Sequence, residues 1–448
     1  MMPRTIKSFL LRRDKMEYFN IVNAEYRKAI TSKILTPCVK VELVDWEGRA
    51  YKEIIQDLSS ENGGSISATF QNGVQRSISL NIFDPNGEFI PNPNNRLVWI
   101  GQRFKVYLGL RVSKTNFPLS ILDGQKMQPA AYSGDRLVAD TEYALKKMKH
   151  DDNFYWFSKG VYIINNVSAS RTGADKQVSI SGVDKFGYFT SDTGYCEMIG
   201  DFIIPRGMSI PDAIYSILAQ EVGNGHNIDN MTPIIDPFYV DTRIPIELSK
   251  GAGSFMGDII TDLATTFRAD VYYDNDGHFC FRRAMLGDEN MKAPVVWNFT
   301  DLDGEYITSN LTYNFTEAIN TVYVVGDNPN GRTAPTAFRQ NTNAASPTNV
   351  QKLGARSKLF TSSTIQTTKE AEDYADYMLE WLSKLQQSIS FTCTYMPHLD
   401  VNQAFTLTDD FYHIEKQVFL MQSITYPLGL GTLSISAVNI EALPTYGG

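Results

Sequence analysis

The chain has 448 residues, of which 43% are apolar and 12% aromatic, and a formal net charge of −9. That length supports two to four hydrophobic cores, and the acidic balance excludes a basic nucleic-acid footprint spread over the whole surface. The charge is uneven: residues 1–40 carry nine Lys/Arg and three Asp/Glu, a net +6 that leaves −15 for the remainder.

Aromatic richness, with 23 Tyr and 25 Phe, favours pleated, half-buried surface and hence a strand-rich chain. The apolar runs fall short of the roughly 18 residues of a membrane span. The opening MMPRTIKSFLLRRDKMEYFN has no uninterrupted apolar stretch of the kind a secretory signal needs. We therefore expect no membrane insertion and folding in a cytosol. Cys38, Cys196, Cys280 and Cys393 lie far apart with no CxxC, which reads as buried thiols rather than a zinc or redox site.

Residues 1–33 read as an N-terminal helical arm, with Phe9, Leu10, Met16, Phe19 and Val22 as apolar positions. Such a basic helix is either a solvated face or a docking arm, and in the second case Phe9, Leu10 and Phe19 are the anchors and Arg12 and Arg13 flank them. Residues 34–195 read as a first β domain. The alternating runs CVKVELVDWEG, SISATF, VQRSISLNIF and RFKVYLGLRV are punctuated by Asn72-Gly73 and Asn86-Gly87. Asn-Gly between alternating runs predicts a hairpin, because the favoured two-residue turn needs positive φ at both positions. Closely spaced strands of this kind suggest a small barrel or sandwich. Residues 113–156 interrupt the pattern as a polar inserted loop with a short helix at 139–150. The segments WFSKGVYIINNVSASRT and KQVSISGVDKF then restore it.

Residues 196–305 mix types. Ser209 is placed to cap a helix with Ile210, Ala213, Ile214, Ile217 and Leu218 on one face. A second helix follows Ser254, with Phe255, Ile259, Ile260, Leu263 and Phe267 at helical spacing. VYYDNDGHFCF, residues 271–281, then reads as a hairpin in which Gly277 supplies a positive φ and Asp274, Asn275 and Asp276 satisfy the turn. Residues 306–448 form a second β domain. It holds a long Asn, Pro, Thr and Gly-rich loop at 327–358 and a helix at 368–387 opened by a Thr367/Glu370 capping box. Ala371, Tyr374, Ala375, Met378, Leu379, Leu382 and Leu385 make that helix's apolar stripe. The strands SISFTCTYM, AFTLTDD, KQVFLMQSITY and GTLSISAVNI follow, in an order that echoes the first domain. The expected fold is mainly β, with two small β-barrel domains flanking an α+β module of helix plus hairpin.

Little of this carries chemistry. GAGSFMG (251–257) imitates a dinucleotide fingerprint, but TRIPIELSK before it alternates polar and apolar residues, whereas a strand buried on both faces is continuously apolar. Counted from Asp274 as a calcium loop, the sixth and twelfth positions hold Phe279 and Met285 instead of Gly and Glu. His150, His226, His278, His398 and His413 show no metal spacing, and there is no GxSxG. Acidic pairs such as Asp151/Asp152 and Asp409/Asp410 read as solvated turns, since adjacent side chains in extended backbone point apart. We assign no catalytic, metal-binding or cofactor-binding residue and expect no cofactor.

The order of these motifs resembles that of bacteriophage tail and baseplate hub proteins over roughly residues 34–445. LVWIGQRFKVYLGL, then KGVYIINNV and VSISGVDKFG, resemble the first barrel of that family. ELSKGAGSFMGDIITDLATTFRADVYYDNDGHFCFRR resembles its middle module. NTVYVVGDNPNG, LGARSK, the long helix, and PHLDVNQAFTLTDD through YPLGLGTLSISAVNIEALP resemble its C-terminal barrel. The basic arm and the 113–156 insertion depart from the pattern. The resemblance implies a non-enzymatic structural hub of the virion, assembled in the host cytoplasm as a homotrimer. Six quasi-equivalent barrels in three chains would then adapt a sixfold tail tube or distal tail protein to a threefold central spike or tip, without sequence-specific nucleic-acid binding. The alternatives are a tail-tip adhesin or hydrolase platform that binds surface polymer through 113–156 or 327–358, and a dinucleotide-dependent enzyme built on GAGSFMG.

Overall fold

The computed structural model describes residues 26–27, 30–31, 37–46, 48–54, 63–84, 86–92, 98–99, 101–113, 152–172, 175–190, 192, 197–221, 226–283, 295–302, 304–313, 318–327, 333–362, 364–383, 387–429 and 431–439. Its first part holds strands β1 (Pro37–Val44), β2 (Ala50–Ile54), β3 (Gly64–Thr69), β4 (Arg76–Phe83), β5 (Arg103–Ser113), β6 (Asp152–Thr172) and β7 (Asp175–Asp184), then a 3-10 turn, Lys185–Phe189. The middle part holds β8 (Phe202–Ile204), α1 (Ile210–Leu218), β9 (Ile234–Ile235), β10 (Leu248–Lys250), α2 (Met256–Phe267), β11 (Ala269–Tyr273) and β12 (Phe279–Arg283). The last part holds β13 (Val295–Thr300), β14 (Tyr306–Tyr313), β15 (Thr321–Gly326), β16 (Thr336–Gln340), α3 (Val350–Leu353), β17 (Ser357–Ser362), α4 (Thr368–Leu382), β18 (Gln387–Cys393), β19 (Ala404–Asp409), β20 (Ile414–Pro427) and β21 (Leu433–Asn439). The fold is mainly β, as the alternating apolar pattern predicts.

Thirteen strands share one hydrogen-bonded sheet in the order β14-β18-β21-β20-β3-β4-β7-β6-β5-β1-β2, with β13 and β19 attached through β20. Alternation builds its core directly: in β4, Arg76, Ile78, Leu80 and Ile82 point in and are buried, while Ser77, Ser79 and Phe83 are exposed. One apolar core runs continuously from Val39 to Ala437 across the first and last parts. Tyr26 and Ile30 are fully buried in it, so the end of the basic arm is part of the core. Phe9, Leu10, Arg12, Arg13 and Phe19 lie outside the described residues.

The sheet contains an internal repeat. The paths β3-β4-β7-β6-β5 and β14-β18-β21-β20-β19 pass through the same antiparallel pairings. Register matches too. Ile78 faces Gly182 and Ser79 faces Ser181, as Ile389 faces Ala437 and Ser390 faces Ser436. Both long strands carry a one-residue irregularity at the same place, after Ile164 in β6 and after Met421 in β20. Gly101 and Asn402, both at positive φ, lead into the equivalent Gly-Gln-Arg-Phe and Asn-Gln-Ala-Phe. The Phe of each stacks on a ring of its long strand, Phe104 on Tyr162 at 5.6 Å and Phe405 on Phe419 at 5.8 Å.

The middle module has its own core around α1, α2 and the β11–β12 hairpin. Ser209 Oγ accepts from Asp212 N at 3.2 Å to start α1, and all five apolar positions read from the sequence are buried. β10 pairs antiparallel with β8, so the glycine run lies beyond an antiparallel strand rather than a buried parallel one. Gly257 is there for packing, since a Cβ would sit 2.6 Å from the Phe189 carbonyl oxygen.

Three sequence readings change. The 327–358 region is not a structureless loop: it holds β16, α3 and the start of β17, and β16 and β17 flank β15 in a separate three-stranded sheet. Its polar residues disguise it by bonding one another, with buried Asn341 donating to Ser346 at 2.8 Å and Thr348 at 2.9 Å. β15 therefore belongs to that sheet, which α4 covers through Ala371, Ala375 and Leu379. Asn86-Gly87 does not join sequential strands into a hairpin, because β4 pairs with β3 and β7. Asp84 instead takes the Glu88 and Phe89 backbone N–H groups there, each at 2.8 Å. Of the 113–156 excursion, residues 113 and 152–156 extend β5 and β6, and 114–151 lie outside the described residues.

Candidate assembly interface

The two repeat units meet where β3 of the first lies antiparallel on the second half of β20. Ala68 faces Ile424, Ser67 faces Thr425, Ile66 faces Tyr426 and Ser65 faces Pro427. Ile66, Ala68, Ile424 and Tyr426 are buried across this joint, while Ser67 and Thr425 point outward.

Beneath the joint lies a buried ionic cluster drawn from all three parts of the chain. Arg76 on β4 donates through Nη1 to the Tyr273 carbonyl at 2.9 Å and through Nη2 to both Asp400 oxygens at 3.3 Å. Asp400 also accepts from the Asn275 side chain and from Val401 N. Lys159 on β6 donates to the Leu399 carbonyl at 2.7 Å and to the Tyr426 hydroxyl at 3.3 Å. Asp184 at the end of β7 accepts from the backbone N–H groups of Gln75, Arg76 and Phe186.

Burial dominates the electrostatics. It holds the Lys159 ammonium down to about 8, with Asp400 opposing and Arg76 adding to the effect. It pushes Asp184 up to about 6 against the backbone donors and Arg76. Burial also raises Asp400, but Arg76, Lys159 and Asn275 outweigh it and leave the carboxylate below its ordinary value. Arg76 and Asp400 pair directly, while Lys159 and Asp184 are held by carbonyl, hydroxyl and backbone N–H groups, so the cluster fixes geometry: removing Arg76 would leave Asp400 buried without its ion-pair partner.

The hairpin quoted above supplies the third arm of this cluster. Gly277 sits at φ +86°. Asp274 Oδ1 accepts from Asp276 N and His278 N, so the acidic run satisfies turn backbone. The tip then docks: Asn275 bonds Asp400, the Ser158 hydroxyl donates to the Asn275 carbonyl at 2.6 Å, Asp276 pairs with Lys105 at 2.8 Å, and the Gly277 carbonyl accepts from Lys185 at 2.8 Å. Lys185 is itself buried against Asp229. At the β3–β4 turn Gly73 has φ +102° but Asn72 does not adopt positive φ. Asn72 is used instead as a staple to the middle module, accepting from Val271 N at 2.8 Å and donating to the Ala269 carbonyl at 3.4 Å.

Sequence reading missed Arg76, Lys159, Asp184 and Asp400. One signal existed: Arg76 falls in phase with the buried Ile78, Leu80 and Ile82, and an in-phase charge in an alternating strand has to find a buried partner. Among the described residues no three His, Cys, Asp or Glu side chains cluster as metal ligands, and no helix is long and apolar enough to cross a membrane.

No family model and no curated protein matches the chain. Solved structures do. The tail protein from Neisseria meningitidis MC58 superposes with a TM-score of 0.57 at 12% identity, covering 91% of this chain and 98% of that one. The 43 kDa tail protein of prophage MuSo2 from Shewanella oneidensis gives 0.54 at 12% identity, covering 91% and 100%. The lidded Francisella PdpA-VgrG complex gives 0.50 at 9% identity over 93% of this chain and 55% of that one. The chain therefore has the fold of phage tail proteins, the class to which its motif order pointed.

Proposed function

We propose that this chain is a structural hub of a phage tail or baseplate, a homotrimeric ring that adapts a sixfold tail tube to a threefold central spike or tip. The observation that carries the reading is the internal repeat. Two units with the same strand order and register, joined through β3 and β20, supply six near-identical units when three chains close about an axis, and a sixfold partner can then meet a threefold one without broken contacts. Head-to-tail contacts between unlike edges close into rings when the rotation permits, and a permanent ring calls for an obligate interface of about 2,000 Å² or more. Function then rests on interfaces with the tube on one face and the spike on the other, in the virion, and the buried charges serve geometry rather than turnover.

Light scattering on the purified chain tests this. Three chains of 50.4 kDa give about 150 kDa, and electron-microscopy class averages down the axis should show six similar lobes. A monomer at micromolar concentration, or a ring without six lobes, refutes the reading.

A further inference from the structure

We infer that neighbouring copies join by adding β14 of one chain, antiparallel, to the outer half of β6 of the next, with Tyr313 facing Val167, Thr312 facing Ser168, Leu311 facing Ala169 and Asn310 facing Ser170. The inference rests on the ring reading and assigns that ring its contact.

The register follows from the repeat. Leu80 faces Ile180 as Phe391 faces Ile435. Opposite Leu80 and Phe391 stand Gly64 on β3 and Ser309 on β14, so Ile66, Ser67 and Ala68 correspond to Leu311, Thr312 and Tyr313. On the long strands Ser436 pairs Ser423 as Ser181 pairs Asn166, so Ile424, Thr425, Tyr426 and Pro427 correspond to Val167, Ser168, Ala169 and Ser170. Carrying the observed β3–β20 joint onto those counterparts gives the stated pairs.

Among the described residues the two counterpart edges are open: β14 pairs only with β18, and β6 beyond Ile163 pairs only with β7. Residues facing inward at the closed joint are fully buried, whereas their counterparts are half-covered or exposed: Leu311 and Val167 are partly buried against the core, Tyr313 is 49% exposed and Ala169 is exposed. The β14 edge, YITSNLTY, carries no charge and no proline, the features with which soluble proteins protect a free edge from pairing. An edge left unprotected, beside an apolar row lacking the cover its twin enjoys, fits strand addition by a second copy. The contact is head to tail, so each added chain exposes the same two edges until the ring closes.

The test uses the full chain. Thr312→Cys combined with Ser168→Cys, oxidised and run without reductant, should give a ladder ending in a covalent trimer, because facing residues place their Cβ atoms within disulfide reach. Thr308→Cys with Ser168→Cys, four residues out of register, and each single variant should give none. In a second measurement, Tyr313→Asp and Ala169→Asp, both at exposed positions, should drop the light-scattering mass from three chains to one while the far-UV circular dichroism of the fold is retained. A parent chain that is trimeric, yet fails to link 312 with 168 or withstands both Asp variants, overturns this contact and leaves the ring reading standing; a parent chain that is monomeric overturns both.

Discussion

Tyr26→Ala should destabilise the protein by about 4 kcal/mol, although it lies in a segment that reads from the sequence as an N-terminal helical arm. The ring is fully buried, with centroids of Tyr155 and Phe157 at 5.3 Å and His398 at 5.4 Å. Its hydroxyl shares a 3.0 Å hydrogen bond with His398 Nδ1. Truncating a buried aromatic side chain costs about 3–5 kcal/mol, cavity included, and the hydrogen bond adds about 1 kcal/mol. Tyr26→Phe isolates the second contribution and should cost only about 1 kcal/mol. Urea midpoints at constant m-value measure both. Deletion sharpens the test. Removing residues 1–33 should cost at least as much as Tyr26→Ala, because Ile30 leaves the core as well. A Tyr26→Ala midpoint within about 0.5 kcal/mol of the parent would refute the claim that this ring is part of the core.

Arg76→Met should cost about 3–5 kcal/mol, since it leaves Asp400 buried without its main cation, and adding Asp400→Leu should recover part of that loss in the same urea assay. Lys159 predicts a pH dependence: with its pKa near 8 in the fold against an ordinary 10.5, the unfolded chain holds more protons between those values, so stability rises with pH from about 8 toward 10. Lys159→Met should remove about 2–3 kcal/mol of that rise, leaving the parallel contribution of Lys185, which burial also holds near 8; an unchanged profile refutes the assignment. Gly277→Val should lower the melting temperature markedly, because the site has φ +86° and an added Cβ would lie 2.8 Å from Val161 Cγ2. Asp274→Asn should melt near the parent, since the amide oxygen still accepts the two turn N–H groups.

What the sequence made legible was local. The capping box of α4 forms as read, with Thr367 Oγ1 accepting from Glu370 N and Glu370 accepting from Thr367 N, because both partners lie within one turn. The hairpin at 271–281 was equally legible, since Asx residues and glycine fix a turn from within it. Pairings across long separations were not. Nothing near β3 names β20 as its neighbour, and Arg76 and Asp400 stand 324 residues apart. The parallel pairings of β9 with β12 and β13 with β19 have no turn to announce them. The repeat itself left a trace in VSISGVD (178–184) and LSISAVN (433–439), but only the shared register shows the two stretches to be equivalent.

The repeat also explains why the two joints need not be chemically alike. In register, Gln387 stands where Arg76 does and Asn439 where Asp184 does, and Trp99, 39% exposed, stands where Asp400 does. The joint closed within one chain is thus backed by buried charges, which hold one geometry strongly but are costly to desolvate unless every partner is already in place. Folding of a single chain meets that condition. At three of the four cluster positions the proposed joint between chains has neutral groups, with Asn439 donating to Gln387 at 2.8 Å and Gln387 to the Tyr313 hydroxyl at 3.1 Å, and at the fourth Lys416, the counterpart of Lys159, is exposed rather than buried. Amides that are already bonded need little further desolvation when a strand arrives, and an exposed tryptophan supplies the aromatic anchor that interfaces favour. Charge in the permanent joint and amides with an aromatic in the later one is the division expected of a chain that must fold before it assembles.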